Sequence, residues 1–278
     1  SEEHWLPSNK DGDVIGAIFE NGNVTVPPSM KKAIDILIES GLTALLGHQK
    51  YGGMEFPNVL SVFADEISCA TNMSLGIYLG LTKGAYNCIY SHGSEELKET
   101  YLPRFLTGEW FGTMCLTEAH SGTDLGLIRT SAKPVGDSYN LNGQKIFISC
   151  GEHDLSENII HLVLARLPDA PKGVKGISLF VVPKFLVNDD GTLGARNKVK
   201  CVSIEEKMGV HGSATCVLSF ENAEGYLVGE PHDGLAAMFS MMNTERIAVG
   251  LQGLGQSEIA YQNGLAYAKD RIQGRDLK

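Results

Sequence analysis

Basic residues are in short supply: the 278-residue chain carries 23 Lys and Arg against 33 Asp and Glu, a net charge of -10. A field of that sign repels polyanions, so nucleic acid is not an expected partner. Long apolar runs are missing as well. The longest uncharged stretch, Ile67 to Thr82, is 16 residues and is diluted with Ser, Thr, Asn and Gly, which is short of a bilayer span. The start, Ser1-Glu2-Glu3, is acidic where a secretory signal would be basic and then apolar, so a cytoplasmic location is expected. Cysteines stand at 69, 88, 115, 150, 201 and 216 with no C-x-x-C pair and no neighbouring His at ligand spacing. They frame neither a zinc site nor a redox pair and are expected to be reduced and mostly buried. No repeat or low-complexity tract is visible. What remains, 43% hydrophobic and 20% charged residues, is near the globular average and long enough to bury one large core or two to three smaller ones. The chain lacks an initial Met and stops at Lys278 directly after a helical pattern, and is expected to be a truncated piece of a longer protein.

The hydrophobic period divides the chain in three. After a loop-like start rich in Asn and Gly, Met30, Ala33, Ile34, Leu37 and Ile38 recur at helical spacing, with Pro27-Pro28 at the entry and Gly41 past the exit. Asn58 to Tyr90 reads as a pair of helices rich in small residues, and Ser94 is placed to cap a further helix whose first turn holds Glu95 and Glu96. Pro103 is expected to end it. From Phe111 the period becomes that of strands, over 111–117, 129–135, 139–141, 144–149, 159–167, 177–182, 199–204 and 215–220, with Asn142-Gly143 as the strongest hairpin signal. The expectation is an antiparallel β barrel or sandwich whose strands end near Phe220. Between Asp233 and Arg271 there is no proline, and helical spacing returns. The fold class is therefore α+β multidomain: an N-terminal helical domain over 1–110, a middle β domain over 111–228 and the start of a C-terminal helical bundle over 229–278.

Three polar clusters stand out. Cys115 to Asp124 places Thr117, Glu118, Ser121, Thr123 and Asp124 where a β run gives way to a loop. Flexible N–H groups and hydroxyls suit a phosphate or the edge of a polar ring, although Ser-Gly-Thr-Asp is also ordinary turn chemistry. In Lys145 to Gly151, Phe147 and Ser149 are two apart and share a strand face, either as a resting place for a flat ring or as a core Phe beside an edge Ser. The third, Asn243-Thr244-Glu245-Arg246, follows Met-rich turns of the last helix. Glu245, if buried, would have a pKa raised toward that of a general base; an ion pair with an Arg is the alternative.

In this order and on these elements the clusters resemble the acyl-CoA dehydrogenase family. The similarity runs from about Val26 to Lys278 and is densest at Cys115 to Asp124, Phe147 to Ser149, Glu206 to Gly229 and Met242 to Arg246. Gly122 to Leu127 and Ile247 to Gly255 look most like the branch of 3-methylmercaptopropionyl-CoA dehydrogenases and their relatives. The resemblance implies FAD between the β domain and the last bundle. Leu116 and Thr117 would touch the flavin, Thr123 the pyrophosphate or the acyl-CoA, and Phe147 and Ser149 would flank the ring. Asn243 and Arg246 would bind CoA, and Arg271 would reach an FAD phosphate across a subunit interface. A homodimer or homotetramer, an acyl-CoA substrate and an electron-transfer flavoprotein as acceptor are implied as partners, with no nucleic acid and no membrane span.

The implied reaction is α,β-dehydrogenation of a thioester, a carboxylate taking the α-proton while hydride leaves the β-carbon for flavin N5. In most members that carboxylate lies in the terminal bundle, here beyond Lys278; in some it directly precedes the helix Arg, where Glu245 stands. Met114, Leu127, Phe147 and the residues after Arg271 depart from the common pattern. The alternatives are oxidase chemistry with O2, or a non-catalytic FAD-retaining relative acting in the DNA-damage response, which the net charge of -10 disfavours. As a fragment, the chain would retain FAD weakly and turn nothing over.

Overall fold

The computed structural model describes residues 2–275. The ends at Ser1 and Lys278, on which the expectation of a truncated piece rests, lie outside them. Helix α1 (Trp5–Val14) and a small hairpin, β1 (Ile18–Glu20) with β2 (Asn23–Thr25), occupy the stretch expected to be loop-like. The helix escapes a pattern search because its buried positions are Trp5, Ser8 and Gly12, two of them not apolar markers. What fixes it is tertiary: Trp5 Nε1 donates to the Ala33 carbonyl at 3.1 Å, and Asn72 Nδ2 donates to Ser8 Oγ at 2.9 Å.

Helix α2 (Pro28–Glu39) has Pro at its first turn and is followed by Gly41 at φ +75. Asn58–His92 forms α3, two helical segments meeting at Asn72, whose φ of -153° and ψ of 91° kink the axis. The helical pair read from the sequence is there, joined by a kink instead of a loop. Ser94 caps α4 (Glu95–Leu106) by accepting from the Leu97 N–H at 3.3 Å. Pro103 lies inside α4 and does not end it, because buried Tyr101, Leu102, Phe105 and Leu106 hold the last turn in the core. The stop is Gly108, at φ +75, two residues past the helix end.

The middle region is a seven-stranded mixed sheet. Its strands are β3 (Trp110–Cys115), β4 (Ser131–Val135), β5 (Ser138–Ser149), β6 (Asn158–Arg166), β7 (Ile177–Pro183), β10 (Val199–Ile204) and β11 (Thr215–Val228). A separate hairpin joins β8 (Phe185–Val187) to β9 (Leu193–Arg196). Pairings β11–β5, β5–β4, β4–β6, β6–β7 and β7–β11 close a ring, with β4 and β6 meeting at Ser131↔Arg166, so of barrel and sandwich the arrangement is the barrel. The sheet is not wholly antiparallel: β3 runs parallel to β6 from Trp110↔Asn158 to Cys115↔Val163.

Asn142-Gly143 is not a turn. It lies inside β5, with Asn142 opposite Ser131 on β4 and Glu221 on β11. The Asn142 amide instead exchanges bonds with Asn222, donating to its Oδ1 and accepting from its N–H, both at 2.9 Å. A side chain at Gly143 would collide with Thr130, 2.4 Å from its Oγ1. The actual hairpin turn is Gly136-Asp137, between paired Val135 and Ser138. Likewise β11 does not end near Phe220 but passes a bulge at Asn222, φ +57, and continues to Val228, which is how one strand pairs with both β5 and β7.

Helix α5 (Gly234–Asp270) then packs along α3. Tyr78 of α3 ties the helices to the sheet, its hydroxyl donating to the Gly212 carbonyl at 3.2 Å and accepting from the Ala214 N–H at 3.4 Å. All six cysteines are free and buried, as expected. Among the described residues no helix is long and apolar enough to cross a membrane.

Candidate functional site

The first two clusters meet at the end of β3. Ile146 of β5 donates its N–H to the Thr117 carbonyl at 2.9 Å, and Lys145 Nζ donates to the Leu116 carbonyl at 2.8 Å. Leu116 and Thr117 therefore lie beside the strand that carries Phe147 and Ser149. On β5 that strand is irregular. Lys145 faces Leu218 and Ile148 faces Cys216, so two residues, Ile146 and Phe147, oppose one. Phe147 takes φ +58, an uncommon conformation for a bulky side chain, and the residue is 59% exposed. Ile148 is buried, leaving Phe147 and half-buried Ser149 on the outward side; the bulge puts them there, since Lys145, two residues before Phe147, is buried.

A strained backbone that shows an aromatic ring to solvent is a costly arrangement, of the kind found where a ligand is to be met. It has a measurable signature. Phe147→Gly is expected to be more stable than Phe147→Ala by about 1 kcal/mol, because both lose the ring but only Gly escapes the left-handed penalty. Denaturant melts of the two variants check this, and Ala equal to or above Gly would remove the strain.

Beneath the surface lies a pair that sequence reasoning left without a task. Lys145 is fully buried and Glu118 is 5% exposed; their Nζ and Oε1 are 2.8 Å apart. The Glu118 carboxylate also accepts from the Thr130 N–H at 3.0 Å, the Thr130 hydroxyl at 2.6 Å and the Arg129 N–H at 2.7 Å. Burial alone would raise the Glu118 carboxyl, but Lys145 and these donors outweigh it and hold it below the usual carboxylate range. Burial lowers the Lys145 ammonium, with Glu118 opposing. The pair clamps the loop after β3 to β5 and so shapes the patch above it. Its sequence signal was a lysine at a core-facing position of β5, in step with buried Leu141.

Thr123 is exposed in that loop, next to Asp124, whose carbonyl accepts from the Ser121 hydroxyl at 2.7 Å. The α5 cluster packs on α3. Asn87 Nδ2 donates to Thr244 Oγ1 at 3.3 Å, and a Cβ at Gly84 would come within 2.9 Å of Glu245 Oε1, so the carboxylate rests where α3 has no side chain. Glu245 Oε1 is buried and has no hydrogen-bond partner among the described residues. Burial raises its pKa to about 7; Lys83 counters this and Asp65 adds to it. The ion pair with an Arg does not form: exposed Arg246 donates to Asn243 Oδ1 at 2.5 Å and lies over the Phe239 ring. Glu245 is close enough to the β domain that its charge contributes to raising the buried Cys150 thiol to about 12, an effect led by burial. Arg271 is not brought to the others. It follows Arg246 by 25 residues, roughly 37 Å along the helix, and bonds Tyr267 Oη at 2.8 Å.

The donor chemistry fits a flavin: an exposed Phe147 and the hydroxyls of Thr117 and Ser149 lie on segments joined by the bond from Ile146 to Thr117, and Thr123 is exposed in the loop that follows Thr117. Among the described residues no group of His, Cys, Asp or Glu is arranged to hold a metal.

Comparison with known proteins finds the family model described as acyl-CoA dehydrogenase, N-terminal domain, over residues 17–109, and that described as acyl-CoA dehydrogenase, middle domain, over 113–223. The chain is 49% identical, over 99% of its length and 47% of the other's, to a 3-methylmercaptopropionyl-CoA dehydrogenase of Ruegeria pomeroyi. The solved butyryl-CoA dehydrogenase of Megasphaera elsdenii is similar at TM-score 0.80 and 30% identity, covering 99% of this chain and 68% of that one. An acyl-CoA dehydrogenase of Bacillus anthracis solved in complex with FAD is similar at TM-score 0.75 and 26% identity, covering 89% of this chain and 40% of that one. The chain spans about half the length of the curated relatives it matches.

Proposed function

The chain belongs to the acyl-CoA dehydrogenase family, and from that premise we propose that it forms part of an FAD enzyme that removes the elements of H2 from the α and β carbons of an acyl-CoA thioester. The observation that carries the reading is Glu245: a carboxylate oxygen, buried and without a hydrogen-bond partner among the described residues, over a gap in α3 at Gly84. FAD, when bound, would supply the acceptor for the β-hydride, which carries both electrons of the oxidation. Glu245 takes the α-proton at its carboxylate, and its raised pKa of about 7 makes it a stronger base than an ordinary Glu.

The remaining residues bind and orient. Thr117 and Ser149 offer hydroxyl donors to the flavin heteroatoms that gain electron density on reduction, and Leu116 offers its backbone. Phe147 packs on the ring. Thr123 faces the pyrophosphate or the acyl-CoA, and Asn243 with Arg246 holds CoA phosphate by charge-assisted bonds. Arg271 reaches an FAD phosphate of a second subunit, in a homodimer or homotetramer, and an electron-transfer flavoprotein takes the electrons onward.

The intact protein, supplied with FAD, is expected to be yellow and to lose its visible absorbance when an acyl-CoA is added without oxygen. Protein that stays colourless after soaking with FAD, or flavin that does not bleach, would overturn the proposal.

A further inference from the structure

Two cavities lie side by side within the helical region. One, about 430 Å³, sits between α3 and α5 and is lined by Gly80, Thr244, Ile247 and Ala248; Glu245 does not line it but is its neighbour, a Cβ at Gly80 falling 3.7 Å from Glu245 Oε2. The other, about 620 Å³, lies under α2 with Ile36, Leu37, Leu45, Phe105 and Phe111 on its walls. Each volume is that of an ordinary small-ligand site. Their common wall is Ser61, Asp65, Ser68, Leu79, Lys83 and Asn87.

Through that wall runs an ion pair. Lys83 Nζ is 2.9 Å from Asp65 Oδ2 and donates to Ser61 Oγ at 2.8 Å. Asp65 stands before the Asn72 kink of α3 and Lys83 after it, so the pair clasps the two segments across the partition. Their side chains are only 33% and 28% exposed.

We propose that this Lys83–Asp65 clasp is the end wall of the acyl site: the cavity beside Glu245 takes the acyl chain, and the clasp keeps the chain out of the apolar chamber beyond, making the protein selective for short acyl groups. The inference rests on the dehydrogenase reading. An alkyl tail that forced its way through would part a half-buried pair and offer neither charge nor hydrogen bond in return. The chamber behind has the apolar lining a long tail needs, so the clasp, not the lack of space, sets the limit.

The test is kcat/KM of the intact FAD-loaded enzyme for butyryl-, octanoyl- and palmitoyl-CoA. Wild type is expected to favour butyryl- over palmitoyl-CoA by at least about tenfold, and the charge-neutral double change Lys83→Ala with Asp65→Ala to shift that ratio toward palmitoyl-CoA by at least about tenfold. Leu37→Trp, which fills the apolar chamber from α2, should leave the wild-type ratio alone and cancel the shift in the double variant. If the double variant does not fold, wild type and Leu37→Trp decide the matter: palmitoyl-CoA turned over as well as butyryl-CoA, and lost on filling the chamber, overturns the clasp. An unchanged ratio in a folded double variant does the same. Failure to turn over any acyl-CoA overturns the dehydrogenase reading, and this inference with it.

Discussion

Glu245→Gln in the intact enzyme is expected to lower kcat by about 10²- to 10⁴-fold, the usual worth of a positioned general base. Gln keeps the size of the side chain and cannot take a proton. Because the pKa is raised to about 7, wild-type kcat/KM is expected to rise about tenfold per pH unit below 7 and to level off above it. The same shift distinguishes catalysis from folding. Glu245 keeps its proton in the folded protein up to about 7, whereas the unfolded chain releases it near the ordinary 4.5. The group thus favours folding at low pH, and that contribution is lost as pH rises from 4.5 through 7. At pH 8 the Gln variant, freed of a buried charge, should unfold no more easily than wild type while being nearly inactive. A near-normal kcat would take Glu245 out of catalysis.

What could be read from the sequence was what a short stretch decides alone. Gly41 past α2, Ser94 at the head of α4 and the proline-free run to Arg271 are local stereochemistry, and each marks a boundary or an element found in the fold. Where a distant partner decides, local signals mislead. Asn142-Gly143 has ideal turn composition, yet Asn142 is spent on Asn222, 80 residues away, and the missing Cβ of Gly143 makes room for Thr130. Pro103 breaks helices in isolation, but four buried neighbours keep α4 going. The parallel contact of β3 with β6 joins strands separated by the whole β4–β5 hairpin, which no local pattern reports.

The site divides the same way. Thr117, Phe147 and Ser149 were visible as residue types, and the structure gathers them through the bond from Ile146 to Thr117. The room that Glu245 Oε1 occupies, without a partner among the described residues, depends on Gly84 of another helix, and the Lys83–Asp65 pair depends on the kink at Asn72. Neither is written in the segment that carries it.

Lys145→Met is expected to cost about 3 kcal/mol of stability, at the lower end of what breaking a buried pair costs. The lower end applies because Glu118 would keep its three donors from Arg129 and Thr130. Loss would still be severe, since the carboxylate stays buried without its counter-charge and the Leu116 carbonyl loses its donor. Glu118→Gln alone leaves the ammonium uncompensated instead. Combining the two changes should cost less than the sum of the singles, with a coupling of about 0.5–3 kcal/mol, because each single leaves a charge that the double removes. The pH dependence has the opposite sign to that of Glu245. Glu118 is held below the ordinary 4.5, so its share of stability is present above that pH and is lost as pH falls through the lower folded value. Acid unfolding should therefore be less steep in Glu118→Gln. Urea midpoints of the two singles and the double at pH 7 and pH 4 measure all three effects. Because the pair holds Leu116 and Thr117 against β5, Lys145→Met should also weaken FAD binding by at least about tenfold where the protein is still folded, whereas a pair that serves stability alone would leave the affinity untouched.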